Sequence, residues 1–415
     1  MFTSAPLPTE KEEVWRYSRI DDLDLDRYPA PGSVTPGTTD APGPSASDRV
    51  RSLVDQLGRR SGLMVTINGV LASVASTAPD DSIVLGRLAE HPEAAGLLGS
   101  VTTQPGDFVL LNDAFAVDPL VIDVAPGATV VDPVIVVHLV AGAHVQAVFP
   151  RTVVRAGAGS SAAVVEIVVA ADTDLLGGTG DSPELTLEHL VVPVTELLLA
   201  DDASVHYVSI QSLGPATWQL AHQASVIGAR SELHSFAVAL GGGYARLRTD
   251  SALVGESGTS RLRAAFIGRN DQMLDFRTLQ DHRAPKTTSD LLFMGAVADT
   301  AHSVYSGLIR VQRGAIRSDA MQTNHNLVLD EGAHADSVPN LDIEENDVRC
   351  SHGSTVGPVD EDQRYYLESR GIESSMAERL IVAGFFENIA SQVPVPGVHS
   401  TISRALAART GDHGA

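Results

Sequence analysis

Residues 120–170, LVIDVAPGATVVDPVIVVHLVAGAHVQAVFPRTVVRAGAGSSAAVVEIVVA, decide the fold. Short runs of Val, Ile and Leu alternate there with turn residues, a pattern typical of β-strands. The turns are marked by Gly127-Ala128, Gly142-Ala143 and Gly157-Ala158. These pairs are evenly spaced, and regular spacing in a strand-rich chain predicts a solenoid whose coils bury their apolar edges against each other. Later turns are less evenly spaced, so the period alone leaves a β-sandwich open.

The strand pattern extends over residues 106–345, and the preceding segment differs from it. Residues 1–105 are predicted to form an N-terminal helical region with a disordered Pro/Gly linker near residues 29–47. Ser47 is a good N-cap for a helix, and a second helix is expected around residues 82–98. The first helix has its apolar stripe at Val50, Leu53, Val54 and Leu57.

Residues 346–415 are predicted to form a C-terminal helical domain. Asp360 can cap a first helix that ends at Gly371, and Ser375 and Glu378 have capping-box spacing for a second. The expected apolar stripe of the second helix is Ala377, Leu380, Ile381, Gly384, Phe385 and Ile389. This helical hairpin either covers the open end of the solenoid or docks a partner.

Composition excludes several classes of function. The 415 residues contain 29 Lys and Arg against 52 Asp and Glu, a formal net charge of −23. Nucleic acids and anionic membranes need a concentrated positive surface, so neither is expected as the main partner. No apolar run of membrane-spanning length and no signal peptide is apparent, so we expect a cytoplasmic protein.

The scarcity of lysine and cysteine narrows the chemistry further. Lys11 and Lys286 are the only lysines, and neither belongs to a phosphate-binding loop, so we expect this chain to bind no ATP itself. Cys350 is the only cysteine, which excludes an internal disulfide, a four-cysteine zinc site and a cluster held by four of the chain's own thiolates. Any iron–sulfur cluster would need ligands from another chain.

Motifs of common soluble enzymes are absent, and two alternatives remain open on the residues alone. One is a carbohydrate-active β-helix enzyme using Asp271, Asp275, Asp281 and Asp290 as acid, base or metal ligands. The other is a structural β-solenoid homodimer that needs no metal.

Residues 279–372 resemble the SufB/SufD family of iron–sulfur cluster assembly proteins. The match is dense around RCSHGSTVG at residues 349–357 and YYLESRGI at residues 365–372. AERLIVAGFFENI at residues 377–389 and EEVWRYSRI at residues 12–20 fit the same family, and the Pro/Gly linker looks like an insertion.

Within this family the chain is most similar to the SufD branch. SufB-type chains carry a cysteine directly after the glutamine that matches Gln322, whereas Thr323 follows it here. SufB-type chains also read E-H-E-A-T-T where this chain reads CSHGST at residues 350–355. The resemblance therefore implies a partner of the primary scaffold subunit rather than that subunit itself.

The resemblance implies a right-handed parallel β-helix with flanking helical regions, and a role as a scaffold subunit rather than an enzyme. Such a subunit pairs with a SufB-like paralogue and binds a SufC-like ABC ATPase through its C-terminal domain. It shares a transient iron–sulfur cluster with SufB, and the sulfur comes from a cysteine desulfurase system. The resemblance also points to reduced flavin in the complex, although the chain has no dinucleotide fingerprint.

The resemblance places His352 at the subunit interface, and a neutral imidazole is a suitable ligand for iron. Cys350 lies two residues earlier, so on a strand both side chains would project from one face and form half of a cluster site. The alternative for Cys350 is an inert buried thiol. His325, near the position of the paralogue's cysteine, and His282, beside Asp281, are weaker candidates for which a structural role is the alternative.

Aromatic and arginine residues dominate interface energies, so the helical domain supplies candidates for docking the ATPase. The candidates are Tyr365, Tyr366, Leu367, Arg370, Ile381, Phe385 and Phe386. Some of them must form the core of the hairpin, because short helices are not stable with every apolar side chain exposed. Phe385→Asp is the substitution first expected to weaken docking.

Overall fold

A computed structural model describes residues 7–29, 44–79, 81–102, 106–142, 145–171 and 188–410. Most of the predicted Pro/Gly linker, residues 30–43, lies outside the described residues. Helices α1–α5 are Pro44–Gln56, Asp107–Phe115, Glu361–Ser369, Ser374–Ala390 and Pro396–Thr410. Short 3-10 helices are Glu13–Trp15, Ile20–Asp22, Leu25–Arg27, Leu88–Glu90 and Pro92–Leu97.

Strands are the most abundant secondary structure of the described chain. In chain order β1–β11 are Gly62–Ile67, Val70–Ser76, Ile83–Arg87, Leu120–Val124, Val134–Val140, Gln146–Val148, Arg151–Ala156, Ser161–Ala170, His189–Val191, Val194–Leu199 and Ser204–Ser212. Strands β12–β21 are Trp218–Ile227, Glu232–Ala239, Tyr244–Leu253, Thr259–Gly268, Met273–His282, Thr288–Val297, His302–Val311, Asp319–Val328, His334–Ile343 and Arg349–Gly357.

The strands form two long sheets. Sheet A has the order β2-β1-β5-β8-β11-β13-β15-β17-β19-β21, and sheet B has the order β20-β18-β16-β14-β12-β10-β7-β4-β3. All pairs on these two paths are parallel except β1–β2 and β3–β4. Successive strands from β10 onwards alternate between the sheets, so the chain winds as a parallel β-solenoid, which confirms the predicted fold class.

One coil of the solenoid spans two of the intervals seen in the sequence. Thr259 of β15 pairs with Thr288 of β17, and Thr288 pairs in turn with Asp319 of β19. The strands that lie between them in the chain, β16 and β18, belong to sheet B. The interval between successive Gly-Ala pairs therefore corresponds to half a coil, a strand in one sheet plus its turn.

The turns stack because one residue in each adopts the left-handed conformation. Asp202, Arg230, Ser257 and Lys286 have φ near +60° at equivalent places in successive coils. Their backbone N–H groups donate to carbonyl groups in the next turn, as in Asp202 N–H to Ala229 O at 2.8 Å. The left-handed conformation is costly for residues with a Cβ, and the hydrogen bonds between turns offset that cost.

The lumen between the sheets contains a group of phenyl rings in the later coils and a polar cluster nearer the N-terminus. Phe276 lies with its ring centroid 4.5 Å from that of Phe266 and 5.7 Å from that of Phe293. Glu166 is fully enclosed and accepts hydrogen bonds from Thr152 and Tyr207 beside His138. Burial alone would raise the pKa of Glu166, but these partners outweigh it and hold the pKa below its usual value.

Other elements cover the outer faces of both sheets. Apolar residues of α1, α4 and α5, such as Val54, Phe386 and Ile402, pack against sheet A. The segment of residues 7–29 and helix α2 pack against sheet B through Trp15 and Phe108.

Several secondary-structure elements in the N-terminal region differ from those expected from the sequence. Strands β1–β3 lie within the N-terminal region predicted as helical, because β1 pairs in parallel with β5 and so begins the solenoid. The helix expected around residues 82–98 is β3 followed by 3-10 turns, and Ser47 lies inside α1 rather than at its N-cap.

The C-terminal region also differs from expectation. It contains the last strand, β21, and a third helix, α5. Helices α4 and α5 lie along the side of the solenoid on sheet A rather than across its open end. The division of the chain into an N-terminal region (residues 1–105), a β-helix core (residues 106–345) and a C-terminal domain (residues 346–415) stays a prediction.

Phe276→Ala should lower the free energy of unfolding by about 3–5 kcal/mol, because the phenyl ring fills the lumen and its loss leaves a cavity between the sheets. Urea denaturation measures this change. Tyr365→Ala is the matched control, since Tyr365 is 73% exposed and its loss should change stability little. Equal effects of the two substitutions would contradict the packing described for the lumen.

Candidate functional site

The solenoid ends with an open pair of strands. Strand β20 is the last strand of sheet B and β21 the last of sheet A, and among the described residues no further strand pairs with either. Each therefore presents a free edge of backbone N–H and C=O groups, which favours pairing with another chain. Apolar side chains near this end, Met321, Ile343 and Val356, are exposed.

Cys350 and His352 lie on β21 and point toward the lumen side of the sheet. Cys350 pairs in register with Ala320 and His352 with Gln322, and both partners are buried lumen residues. Alternate residues of a strand share a face, so the two side chains project together from the last coil, with Cα atoms roughly 6.6 Å apart. His352 is exposed and Cys350 is half-buried. The two side chains share one face, as the strand spacing predicts, and their role as half of a cluster site stays a prediction.

The Cys350 side chain packs beside a small apolar cluster that includes Ile309 and Ala315. Burial, with a smaller contribution from the carboxylate of Asp319, raises the pKa of the Cys350 thiol. The thiol is thus protonated at neutral pH, and it becomes a good metal ligand only when a cation displaces the proton.

His325 lies on the opposite face of sheet A from His352. It pairs in register with Thr355 and hydrogen-bonds to the hydroxyl of that residue. Partial burial lowers the pKa of His325. His352 pairs with Gln322, and His325 is an odd number of residues from Gln322 along β19, so its side chain points to the outer face of the sheet. The two histidines therefore do not converge on one site.

His282 is buried in the lumen, with both ring nitrogens occupied. Nδ1 is 2.7 Å from the hydroxyl of Thr287 and Nε2 is 2.8 Å from that of Ser289. Asp281 points to the other face, where it pairs with Arg283, so it does not orient the imidazole. The geometry of His282 fits the structural alternative.

The predicted docking residues divide into exposed and buried groups. Tyr365 and Tyr366 are largely exposed on α3, and the guanidinium of Arg370 lies 5.2 Å from the centre of the Tyr366 ring. Leu367 is half-buried. Tyr365 and Tyr366 are accessible from solvent, and docking of a partner at these residues stays a prediction.

The docking assignments on α4 need correction. Phe386 is buried against sheet A, and Ile381 and Phe385 pack on the same apolar cluster. Phe385→Asp would therefore disturb the packing of α4, so it does not test docking cleanly. Leu380, expected in the buried stripe, is instead exposed with Met376 one turn away. The sequence signal for this exposed face was weak, since Leu380 also fits the spacing of the apolar stripe.

The four candidate carboxylates of a carbohydrate-active enzyme do not converge. Asp275 is buried between Arg246 and Arg277, and Asp281 pairs with Arg283 on the same sheet. Asp290 lies on sheet A and pairs with Arg263, while Asp271 is exposed in a turn of the chain. They provide no acid–base pair across a groove, so the geometry does not favour glycan cleavage.

Comparison with known proteins agrees with this architecture. Residues 138–385 match the family model described as SUF system FeS cluster assembly, SufBD core domain. This match covers more than half of the chain and includes Cys350 and His352. The chain belongs to the SufBD family of the SUF iron–sulfur cluster assembly system.

Individual relatives carry the same description. The chain is 26% identical to the iron–sulfur cluster assembly protein SufD of Escherichia coli, over 97% of this chain and 89% of that protein. It is 30% identical to SufD of Bacillus subtilis over 49% of this chain and 47% of that protein. A SufBD family protein of Mycobacterium bovis is 34% identical over 51% and 55% of the two chains.

The SufD branch predicted from the sequence is thus supported by relatives with that name. The chain spans most of the E. coli relative but about half the length of the Bacillus and mycobacterial ones. Within the described residues, no helix is both long enough and apolar enough to cross a membrane.

The stability of the fold should depend on pH through His282. Burial lowers the pKa of His282 to about 4 from 6.5. Below about pH 6.5 the unfolded chain takes up a proton that the folded chain refuses, so the free energy of unfolding falls as the pH drops toward 4. The loss attributable to this group is about 3 kcal/mol across that window, and above it the group has no effect.

His282→Gln removes this titration while keeping a side chain that can bond to the two hydroxyl groups. Urea denaturation between about pH 7 and pH 4.5 should show a shallower decline of stability for the variant than for the natural chain. Parallel declines would contradict the buried, neutral state of His282.

Proposed function

We propose that this chain is the SufD-type subunit of an iron–sulfur assembly scaffold and that it joins a SufB-type paralogue through the open end of the solenoid. The observation that carries the proposal is the free end formed by β20 and β21, with Cys350 and His352 directed toward the lumen side. Iron and sulfide are the cargo of this site.

The shape of the open end suits a partner that is itself a solenoid. Strands β20 and β21 are 10 and 9 residues long, which is long for unprotected edges. A related solenoid could extend both sheets at once by adding a strand to each edge. A second copy of this chain offers the same edges, so self-association is the competing outcome.

The chemistry of the open end requires a second contributor. One thiol and one imidazole supply two soft or borderline ligands, which suit iron, whereas an iron–sulfur cluster is commonly held by four protein ligands. The remaining ligands would come from the SufB-type partner, and the sulfur would come from a cysteine desulfurase system.

His352→Ala should leave the complex with a SufB-type paralogue intact and lower cluster yield several-fold, because the imidazole is a ligand and not part of the sheet pairing. Iron and sulfide content after anaerobic co-expression with the SufB-type and SufC-type proteins measures this. His325→Ala is the matched control, since His325 lies on the outer face. Unchanged loading with His352→Ala, or equal losses in both variants, would reject the role given to His352.

We assign the docking of a SufC-type ABC ATPase to the exposed surface formed by Tyr365, Tyr366, Arg370, Met376 and Leu380. Helices α3 and α4 are in contact, and these side chains remain exposed while the buried face of α4 packs on sheet A. Exposed aromatic and long apolar side chains on a rigid helical support are typical of interface anchors. ATP would bind to the partner, since this chain has no phosphate-binding loop.

Tyr365→Ala combined with Tyr366→Ala should weaken binding of the ATPase by about tenfold or more, because truncating an interface anchor commonly costs more than 1 kcal/mol. Co-purification and titration calorimetry measure the change. Tyr17→Ala removes a tyrosine that is also exposed but lies in the N-terminal segment, so it serves as control. Undiminished binding by the double variant would place the docking surface elsewhere.

A further inference from the structure

Two histidines and an aspartate lie together on the outer face of sheet B, apart from Cys350 and His352 on sheet A. His302 begins β18 and His334 begins β20, and the two residues pair in register. Asp336 follows His334 by two residues, so it lies on the same face of β20. The solenoid therefore brings together residues that are a full coil apart in the sequence.

The nitrogen and oxygen atoms of these side chains converge. Nε2 of His302 is 2.8 Å from Oδ2 of Asp336, and Nε2 of His334 is 3.4 Å from Oδ1 of the same carboxylate. The imidazole centroids are 5.1 Å apart, and one donor atom from each residue lies within 4.8 Å of the other two. A single cation can be reached by all three donors after small side-chain rotations.

The donor set selects a class of ion. Two imidazoles and one carboxylate suit divalent transition metals such as Fe²⁺ and Zn²⁺, whereas Mg²⁺ and Ca²⁺ favour oxygen ligands. Three protein ligands leave coordination positions open, as in sites that exchange a bound group.

The surroundings close one side of the cluster and leave another accessible. Met273 on β16 pairs in register with His302 and is buried, so it closes the side of the cluster that faces the neighbouring coil. His334 lies on the terminal strand of sheet B, and its side chain is 67% exposed. The net charge of −23 favours the approach of cations to this surface.

A second stacked pair of histidines has an arginine side chain in contact with one of its rings. His206 and His234 on sheet A also have ring centroids 5.1 Å apart. There, however, Nη1 of Arg261 is 2.5 Å from Nε2 of His234, so a fixed positive charge occupies the place a metal would take. Among the described residues, His302, His334 and Asp336 are the group whose donors can hold a metal ion.

We propose that His302, His334 and Asp336 form a binding site for one divalent transition-metal ion of the Fe²⁺ or Zn²⁺ class at the free edge of sheet B. The inference concerns the chain alone and does not rest on the proposed function. The site is separate from the half-site at Cys350 and His352.

Titration of the purified, chelator-treated full chain with Co²⁺ under anaerobic conditions tests this site, because cobalt bound by imidazole and carboxylate gives visible absorption. One equivalent should bind, and Zn²⁺ should displace it. His302→Ala and Asp336→Ala should each weaken binding more than about tenfold, since loss of even a supporting residue around a metal often costs that much. His334→Ala should also weaken binding more than about tenfold. Because His334 is exposed, its substitution should not unfold the chain, so the loss of binding would report on the site itself.

One control locates the ion. His234→Ala removes a histidine from the other stacked pair and should leave Co²⁺ affinity unchanged. Absence of one-equivalent binding by the natural chain, undiminished binding by the three triad variants, or an equal loss of binding with His234→Ala would each overturn the proposal.

Discussion

The parallel pairing of each coil with the next is the constraint on which the rest of the structure depends. Backbone N–H and C=O groups within a coil find their partners in the coils before and after it, so the inner coils satisfy one another. At the N-terminal end, β2 and β3 add antiparallel strands to the two sheets. At the other end, no strand of the described chain pairs with the outer edges of β20 and β21, so their backbone groups are free to pair with another chain.

The alternation of side chains along a strand determines which residues can act together. Cys350 and His352 pair with Ala320 and Gln322 of β19, whose side chains face the lumen, so both lie on the lumen side. His325 is an odd number of residues from Gln322 along β19, so its side chain lies on the outer side. The same rule brings His334 and Asp336 to one face of β20. Residues that are close in sequence can therefore belong to different surfaces, and residues a full coil apart can meet.

Much of the fold was predictable from the sequence, because the apolar runs and the Gly-Ala turns repeat along the chain. The position of Cys350 and His352 on one face of β21 was also predictable, since period-two spacing is local. The triad of His302, His334 and Asp336 was not, because its two strands meet only through a full coil, and the length of a coil varies along the solenoid. Phe386 and Leu380 were misassigned because one helical stripe fits both packing on sheet A and docking of a partner.

Cys350 at the open end has a raised pKa, so its thiol becomes a good metal ligand only when a cation displaces the proton. In the isolated chain the thiol sits beside apolar side chains and near Asp319, so its proton is retained and the sulfur is a weak ligand. A metal ion reverses this balance by favouring the thiolate over the thiol. Pairing at β20 and β21 would exclude water from the same place and strengthen the attraction between thiolate and metal. In the proposed complex, partner binding at this end would therefore favour capture of a metal ion by Cys350.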